Sequence, residues 1–471
     1  MVKINQEDNY NANFGYCLRS SSIFYVPGKP IKTSIVLSDY WKFKNNIKVF
    51  ILVSYRNLKG DLIKREEINF EESSVTELNI PNDLVGSCEV EAFSNEDLRI
   101  PYSAIMVVYE GSKSISMVHS YSRVYSPLEI EDKKTICDGN EGCWVLKDTN
   151  QIESFAVMHN GSSAYQKQII KLTATNYLGD CKAIEVPINS LKPYQTVVIK
   201  PRKYFPDICE FLQGREGSCV IQFKVSNSFT RLLLGWLTKD KSQIQVTHSN
   251  FDYSIHETNL IDATYNYGHM QIPNFSNKKV FALIYPDRSP GHYSICSDIM
   301  DEIPIQENLY SFETKSQDLK FKRNDGKLPA RIVTALKIKS DDESILPCEC
   351  SLGIKHILTP PKRFHWGIWS SKFNSLLIIS AFEKLYGDPH KAKICLRLYS
   401  QKTNIVDEKN LDWDQITTDG TNATLNIKEI FNPSFIDPNN FMYISLFSHY
   451  GGFLAYTTLH KGQSISIEHT F

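Results

Sequence analysis

SISMVHSYSRVY, residues 114–125, decides the fold, because the chain repeats it closely as QIQVTHSNFDYS at residues 243–254. Each copy begins with a short run in which polar and apolar residues alternate, and each run ends in His-Ser, at His119 and His248. Alternation with a period of two is typical of a half-buried β-strand. The repetition therefore predicts two related β units, each closed by a strand that ends in histidine.

The similarity extends upstream of the two histidines. Residues 86–99, GSCEVEAFSNEDLR, and residues 217–231, GSCVIQFKVSNSFTR, share the order Gly-Ser-Cys, a strand, and Ser-Asn-x-x-x-Arg. The gaps between these marks differ by only a few residues, as changes in hairpin length produce. We therefore expect Cys88 and Cys219, like the two histidines, to lie on equivalent strands of the two units.

The chain holds two further copies, of which the one that ends at His356 is weaker. SISIEH, residues 464–469, aligns His469 with His119, and a segment that ends at His356 supplies the last copy. The four histidines follow one another at intervals of about 110 to 130 residues, close to the length of one β-sandwich domain. A histidine that recurs in every repeat is interpreted first as structural, a neutral imidazole at a sheet edge or a seam between units. Contact with a ligand, or with a metal ion, in one of the copies stays open as an alternative.

The predicted fold is all-β: tandem β-sandwich-like repeats, two to four in number, with few short helices. Boundaries are expected near Ile130, Ala263 and Trp366, which gives units at 1–130, 131–262, 263–366 (the weak repeat) and 367–471. Short apolar runs between Gly, Pro, Asn and Asp turns support strands throughout. Short helices are expected at 204–214, where Gly214 ends the helix, and at 427–431.

Composition excludes several classes of protein. With 471 residues, several domains are expected. A formal net charge of -1 offers no field for a nucleic acid. No apolar run approaches the ~20 residues that span a bilayer. Because the N-terminal segment lacks an apolar core of the signal-peptide kind, we expect a cytoplasmic protein.

The 11 cysteines are scattered, several within apolar runs, which favours free thiols in a reducing compartment over a disulfide framework. The spacing of Cys137 and Cys143 is compatible with two free thiols, a disulfide or half of a metal site. That choice stays open.

The densest polar segment follows the second repeat strand. Within ten residues it holds His248, Asp252, His256 and Glu257, and Arg231 adds a positive charge nearby. Because loops at strand ends carry function, we predict that these five residues form a ligand-binding rim where the second unit meets its neighbours. A polar loop without a ligand is the alternative. Positions four apart on an extended strand lie about 13 Å apart, so a metal site in this segment would need a turn, and we predict none. No cofactor is expected.

Motifs for nucleotide binding, zinc proteolysis and nucleophilic serine are absent, so no catalytic residue is assigned. The leading hypothesis is a non-enzymatic binding or assembly protein whose partner is a glycan or another protein, including a copy of itself. The alternative is an enzyme that acts on a carbohydrate or related polar substrate at a seam between units. A buried cluster of titratable groups beside a pocket would favour the enzyme, and shallow faces would favour the binding protein.

Overall fold

The structure is a computed structural model, and it describes residues 17–68, 70, 73–96, 104–119, 122–123, 140–162, 164, 168–223, 231–248, 267–273, 275, 278–285, 292–298, 300–304, 310–313, 318–325, 334–355, 359–417 and 419–469. Its strands form eight antiparallel sheets, and one strand order returns four times along the chain. The predicted class, all-β with tandem β-sandwich-like repeats and few short helices, is confirmed.

Sandwich one consists of the sheets β4-β3-β6-β1-β9 and β5-β2-β7-β8. Its strands are β1 (Cys17–Val26), β2 (Lys32–Ser38), β3 (Phe50–Asn57), β4 (Leu62–Ile68), β5 (Val75–Asn79), β6 (Gly86–Ser94), β7 (Ile105–Glu110), β8 (Ile115–His119) and β9 (Ser122–Arg123).

Sandwich two consists of the sheets β10-β15-β12-β13 and β14-β11-β16-β17. Its strands are β10 (Asn140–Leu146), β11 (Ile152–His159), β12 (Gln168–Thr175), β13 (Cys181–Ile188), β14 (Thr196–Ile199), β15 (Gly217–Phe223), β16 (Leu233–Thr238) and β17 (Ile244–His248).

Sandwich three consists of the sheets β18-β23-β20-β21 and β22-β19-β24-β25. Its strands are β18 (Tyr267–Gln271), β19 (Lys279–Ile284), β20 (Tyr293–Ser297), β21 (Met300–Pro304), β22 (Tyr310–Glu313), β23 (Asp318–Arg323), β24 (Thr334–Lys339) and β25 (Cys348–Leu352).

Sandwich four consists of the sheets β26-β31-β28-β29 and β30-β27-β32-β33. Its strands are β26 (Phe364–Trp369), β27 (Leu377–Ala381), β28 (Lys393–Tyr399), β29 (Val406–Asp412), β30 (Asn422–Leu425), β31 (Met442–Ser448), β32 (Phe453–Lys461) and β33 (Ser464–His469).

The described helices are short. They are α1 (Tyr40–Asn45), α2 (Pro201–Tyr204), α3 (Ile208–Leu212), α4 (Glu383–Tyr386), α5 (Trp413–Ile416) and α6 (Ile427–Ile430). The helices expected at 204–214 and 427–431 correspond to α3 and α6. Gln213 and Gly214 after α3 both have positive φ, which ends the helix. Within the described part of the chain, no helix is long and apolar enough to cross a membrane.

The marks of the sequence repeat occupy equivalent ladder positions. Cys88 pairs with Phe24 in β1, two residues beyond the pair formed by Gly86, and Cys219 pairs with Trp144 in β10, two residues beyond the pair formed by Gly217. Both cysteines are fully buried. The prediction that they lie on equivalent strands is confirmed. His356, the expected mark of the third copy, lies outside the described residues.

The second sheet of a sandwich is buried on both faces. In β2, Ile35 packs into the core of sandwich one, whereas Val36 packs on the opposite face with Trp366 and Tyr443 of sandwich four. All residues of β2 after the first are buried, so the strand shows none of the alternation in burial seen in the exposed β13. The contacts between sandwiches are therefore part of the hydrophobic core. Each large apolar side chain buried there contributes about 1.5–3 kcal/mol to the stability of the fold.

The four closing strands β8, β17, β25 and β33 meet at the centre of the molecule. Each is the edge strand of its second sheet. β8 contacts β17 and β33, and β25 contacts the same two strands, so the four form a closed ring, here called the central ring. An open sheet edge exposes unpaired backbone groups, and the ring covers four such edges at once.

Serine side chains join sandwich one to sandwich two in the ring. The amide of Ile244 donates to Ser114 Oγ at 2.9 Å, and the amide of Val246 donates to Ser116 Oγ at 3.0 Å. The same relation joins sandwich four to sandwich one. There the amides of Ile115 and Met117 donate to Ser464 Oγ and Ser466 Oγ at 3.2 and 2.8 Å. The repeated Ser-Ile-Ser motif thus satisfies the backbone donors of the neighbouring edge strand.

A buried acidic pair in β6 gives sandwich one a pH-dependent stability. Burial and the neighbouring Glu89 raise the pKa of Glu91 to about 8, although Arg65 and Arg56 oppose that rise. The folded protein therefore keeps a proton that the unfolded chain loses, so stability falls as pH rises from about 4.5 to about 8.

Glu91→Gln, which resembles the protonated acid, is expected to raise the free energy of unfolding by about 2 kcal/mol at pH 8 and to leave it unchanged at pH 4. Urea unfolding at both pH values measures this. Glu67→Gln is the control, because Glu67 is exposed on β4, two strands away in the same sheet. Equal effects of Glu91→Gln at pH 4 and pH 8 would contradict the prediction.

Candidate functional site

The central ring brings three of the repeat histidines to one place. His119, His248 and His469 are the last residues of β8, β17 and β33, so the contacts between these strands place their rings together. The ring centroid of His119 lies 4.4 Å from that of His248 and 5.3 Å from that of His469, both in edge-to-face arrangements. Glu468 completes the group, here called the histidine cluster.

The carboxylate of Glu468 lies among the imidazoles. Its Oε1 is 3.0 Å from His119 Nδ1 and 3.7 Å from His469 Nε2. His119, His248 and Glu468 are buried, and the side chain of His469 is 18% exposed. The cluster therefore lies within the seam, with one histidine at its border.

Burial between the sandwiches determines which groups of the histidine cluster are charged. Burial lowers the pKa of His119 well below 6.5, and His248, His469 and Arg231 lower it further. Burial likewise lowers the pKa of His469 and raises that of Glu468 well above 4.5. His119 and His469 are therefore neutral at pH 7, the form in which imidazole binds a metal ion. The raised pKa of Glu468 favours its protonated form, so a bound metal ion would have to displace that proton.

The donor atoms are close enough to share one ion. One donor from each of the four residues lies within 4.8 Å of all the others. Four such atoms fit in a sphere with a radius of about 2.9 Å, and Zn²⁺ holds imidazole nitrogen at about 2.0–2.1 Å. Each side chain would therefore need to move inward by about 1 Å at most. Three imidazoles and a carboxylate form a donor set that suits divalent transition metals.

Two of the five predicted ligand-binding residues belong to this site. His248 is a member of the cluster, and Arg231 is buried just before β16, where its charge acts on His119 and Glu468. Asp252, His256 and Glu257 lie outside the described residues. The expected rim around sandwich two therefore contributes Arg231 and His248 to a site that also draws on sandwiches one and four.

Sequence reasoning missed Glu468 as a site residue and noted His119 and His469 only as marks of a repeat. Its expectation that no metal site exists considered only positions along one strand, whereas the cluster assembles from three strands. The available signal was the common place of the three histidines, each at the end of a closing strand.

A cavity of about 170 Å³ lies beside the cluster. His469 forms part of its wall and thus borders both the cluster and the cavity. The other polar lining side chains include Lys355, Lys362 and His365, and Phe382 and Tyr386 are among the aromatic ones. We call this space the side cavity.

Comparisons with known proteins add no functional assignment. No protein family matches the chain, and no curated protein is similar to it. Among solved structures, the chain is similar to a tetra-tandem repeat in the extending region of a large adhesion protein, with 6% identity, a TM-score of 0.11 and coverage of 90% of this chain and 91% of that one. It is also similar to the native conformation of E. coli alpha-2-macroglobulin, with 8% identity, a TM-score of 0.10 and coverage of 94% of this chain and 28% of that one. Similarity this low carries no argument.

Proposed function

We propose that the chain is a multidomain β-sandwich binding protein that holds one divalent transition-metal ion in the histidine cluster. The observation that carries the proposal is that four potential ligand atoms, from His119, His248, Glu468 and His469, lie within 4.8 Å of one another. Strands of three different sandwiches supply them. The ion would therefore act as a cross-link between distant parts of the chain.

The donor set favours Zn²⁺. Four protein ligands fill the coordination positions of a tetrahedral Zn²⁺ ion, and such closed sites have structural roles more often than catalytic ones. Zn²⁺ has no geometric preference of its own and accepts the arrangement that the strands provide. This supports a binding or assembly role ahead of catalysis.

An ion that binds only the folded chain stabilises it by mass action. At a free concentration one hundred times its dissociation constant, the gain is about 2.7 kcal/mol. Because the ligands come from sandwiches one, two and four, this stabilisation would act on their association as well as on each fold.

Metal content of the full chain tests the proposal. Protein stripped with a chelator, reloaded with Zn²⁺ and desalted is expected to retain about one ion per chain by mass spectrometry of the metal. Co²⁺ in its place is expected to give the intense visible absorption of a tetrahedral site. His248→Gln and Glu468→Gln are expected to lose the ion, and Zn²⁺ should raise the melting temperature of the wild type but not of these two variants.

His159→Gln is the matched control. His159 is also a fully buried histidine in sandwich two, but its Nδ1 lies 2.9 Å from Thr196 Oγ1, outside the cluster. It should retain the ion. If the folded wild type retains none, or if folded His248→Gln and Glu468→Gln retain as much as the wild type, the proposed function is wrong.

The seam enzyme is the second candidate. A buried cluster with shifted pKa values beside a cavity is the arrangement that distinguishes an enzyme from a protein with shallow binding faces. Turnover of a panel of polar substrates, carbohydrates included, by the loaded wild type and not by His248→Gln would favour it. A glycan or protein partner, self-association and a cytoplasmic location stay predictions.

A further inference from the structure

The side cavity has walls from two sandwiches. Lys355 follows β25 of sandwich three, and Lys362 precedes β26 of sandwich four. Both backbones are fixed. Lys355 exchanges two hydrogen bonds with the backbone of His269 in β18, at 2.6 and 2.8 Å, and the amide of Lys362 donates to the carbonyl of Gly451 at 2.8 Å.

The lining of this cavity is positively charged. It includes Lys355 and Lys362, and none of the described residues that line it is an aspartate or a glutamate. His365, also in the wall, is buried, and burial together with the two lysines lowers its pKa well below 6.5. The two ammonium groups can donate hydrogen bonds to an anion, whereas the single N–H of neutral His365 is engaged by the backbone carbonyls of Lys362 and Phe453.

We propose that the side cavity binds a small oxyanion, a phosphate or carboxylate group, between Lys355 and Lys362. The anion lies beside the ion of the histidine cluster, and only this last part of the inference rests on the proposed function. Lysine is a common phosphate ligand because it carries a compact positive charge. The attraction between this charge and an anion is stronger where water is partly excluded, since the effective dielectric constant is lower there.

The size of the cavity agrees with such a ligand. A cavity needs about 10–15 Å³ to hold one water molecule, so a cavity of about 170 Å³ accommodates an acid group and a small organic body. The aromatic side chains Phe382 and Tyr386 provide apolar surface for that body.

Metal and anion are expected to bind cooperatively. His469 lies between the two sites, so a divalent ion in the cluster adds positive charge at the cavity wall. By thermodynamic linkage, the metal ion must raise the affinity for the anion by the same factor as the anion raises the affinity for the metal ion. Loading with Zn²⁺ should therefore tighten anion binding.

Calorimetric titration of the full chain with inorganic phosphate, and separately with acetate, tests the inference. Both the chelator-stripped protein and the desalted, Zn²⁺-loaded protein are titrated. Lys355→Gln/Lys362→Gln is expected to bind the anion about tenfold more weakly or worse and to retain Zn²⁺. The control is Lys171→Gln/Lys239→Gln, two exposed lysines outside the cavity, which should bind like the wild type.

The outcomes separate this inference from the proposed function. Anion binding by a protein that retains no metal after Zn²⁺ loading and desalting would refute the metal site and support the lysine site. Metal retention without binding of either anion, or equal binding by the wild type and a folded cavity variant, would overturn the anion site. A preference for phosphate or for acetate identifies which acid group the cavity recognises. Circular dichroism and retained Zn²⁺ establish that the variant is folded.

Discussion

Arg56→Met is expected to lower the free energy of unfolding by about 3–5 kcal/mol, because it removes one partner of a buried ion pair. Arg56 Nη1 lies 2.5 Å from Glu89 Oε2, and both side chains are 3% exposed. The substitution would leave the Glu89 carboxylate buried beside Glu91, with the hydroxyl of Ser21 as its remaining hydrogen-bond donor among the described contacts.

The effect should reach sandwich two. The Arg56 guanidinium stacks over the ring of Tyr194 at 3.8 Å from its centroid, so the same side chain holds two sandwiches together. Urea unfolding, followed by circular dichroism, measures the loss. Arg56→Lys keeps the charge and should lose less stability than Arg56→Met. A loss of less than about 1 kcal/mol for Arg56→Met would place the pair among weak surface ion pairs and contradict the prediction.

Gln245→Ala is expected to lower the free energy of unfolding by about 3 kcal/mol or more, because it removes a buried side chain that hydrogen-bonds two other strands of the central ring. Gln245 is fully buried. Its Nε2 donates to the carbonyl of Ile115 at 2.9 Å, to Ser464 Oγ at 3.2 Å and to the carbonyl of Ile465 at 3.1 Å. Truncation leaves two buried carbonyls without this donor, at about 1–3 kcal/mol each, and adds a cavity.

Thermal and urea unfolding of Gln245→Ala, compared with Gln151→Ala, test this result. Gln151 is exposed in a turn of sandwich two, and its truncation should change stability by about 0.5 kcal/mol or less. If the two variants lose equal stability, the central ring does not hold the sandwiches together.

The sequence predicted the sandwiches because their signals are local. Alternation, turn residues and a repeated Gly-Ser-Cys all lie within one unit, and the same ladder position of Cys88 and Cys219 follows from them. The seam has no such signal. Ser464 and Ile115, which share a hydrogen bond, are 349 residues apart, and a serine in a strand is compatible with solvent as well as with a neighbouring amide.

For the same reason, the sequence drew attention to only two of the residues that the candidate site brings together. His248 and Arg231 attracted attention because charged and polar residues cluster near them in the chain. Glu468 did not, because its alternating strand gives no sign that the carboxylate reaches imidazoles from two other sandwiches. Boundaries near Ile130, Ala263 and Trp366 stay predictions; β26 begins at Phe364, within the few residues by which such an alignment can err.

The strand contacts of the central ring can form only in a fixed order while the chain is being synthesised. β33 neighbours β8 but follows it by 349 residues, so at about 5–20 residues per second a ribosome needs roughly 20–70 s to supply that partner. For this interval, sandwich one waits with the amides of Ile115 and Met117 without their serine acceptors from sandwich four. A nascent chain of this kind offers a bare strand edge to any other nascent chain nearby. Wide spacing of ribosomes on the message, or a chaperone that covers β8, would keep this edge from pairing with another nascent chain until β33 has been made.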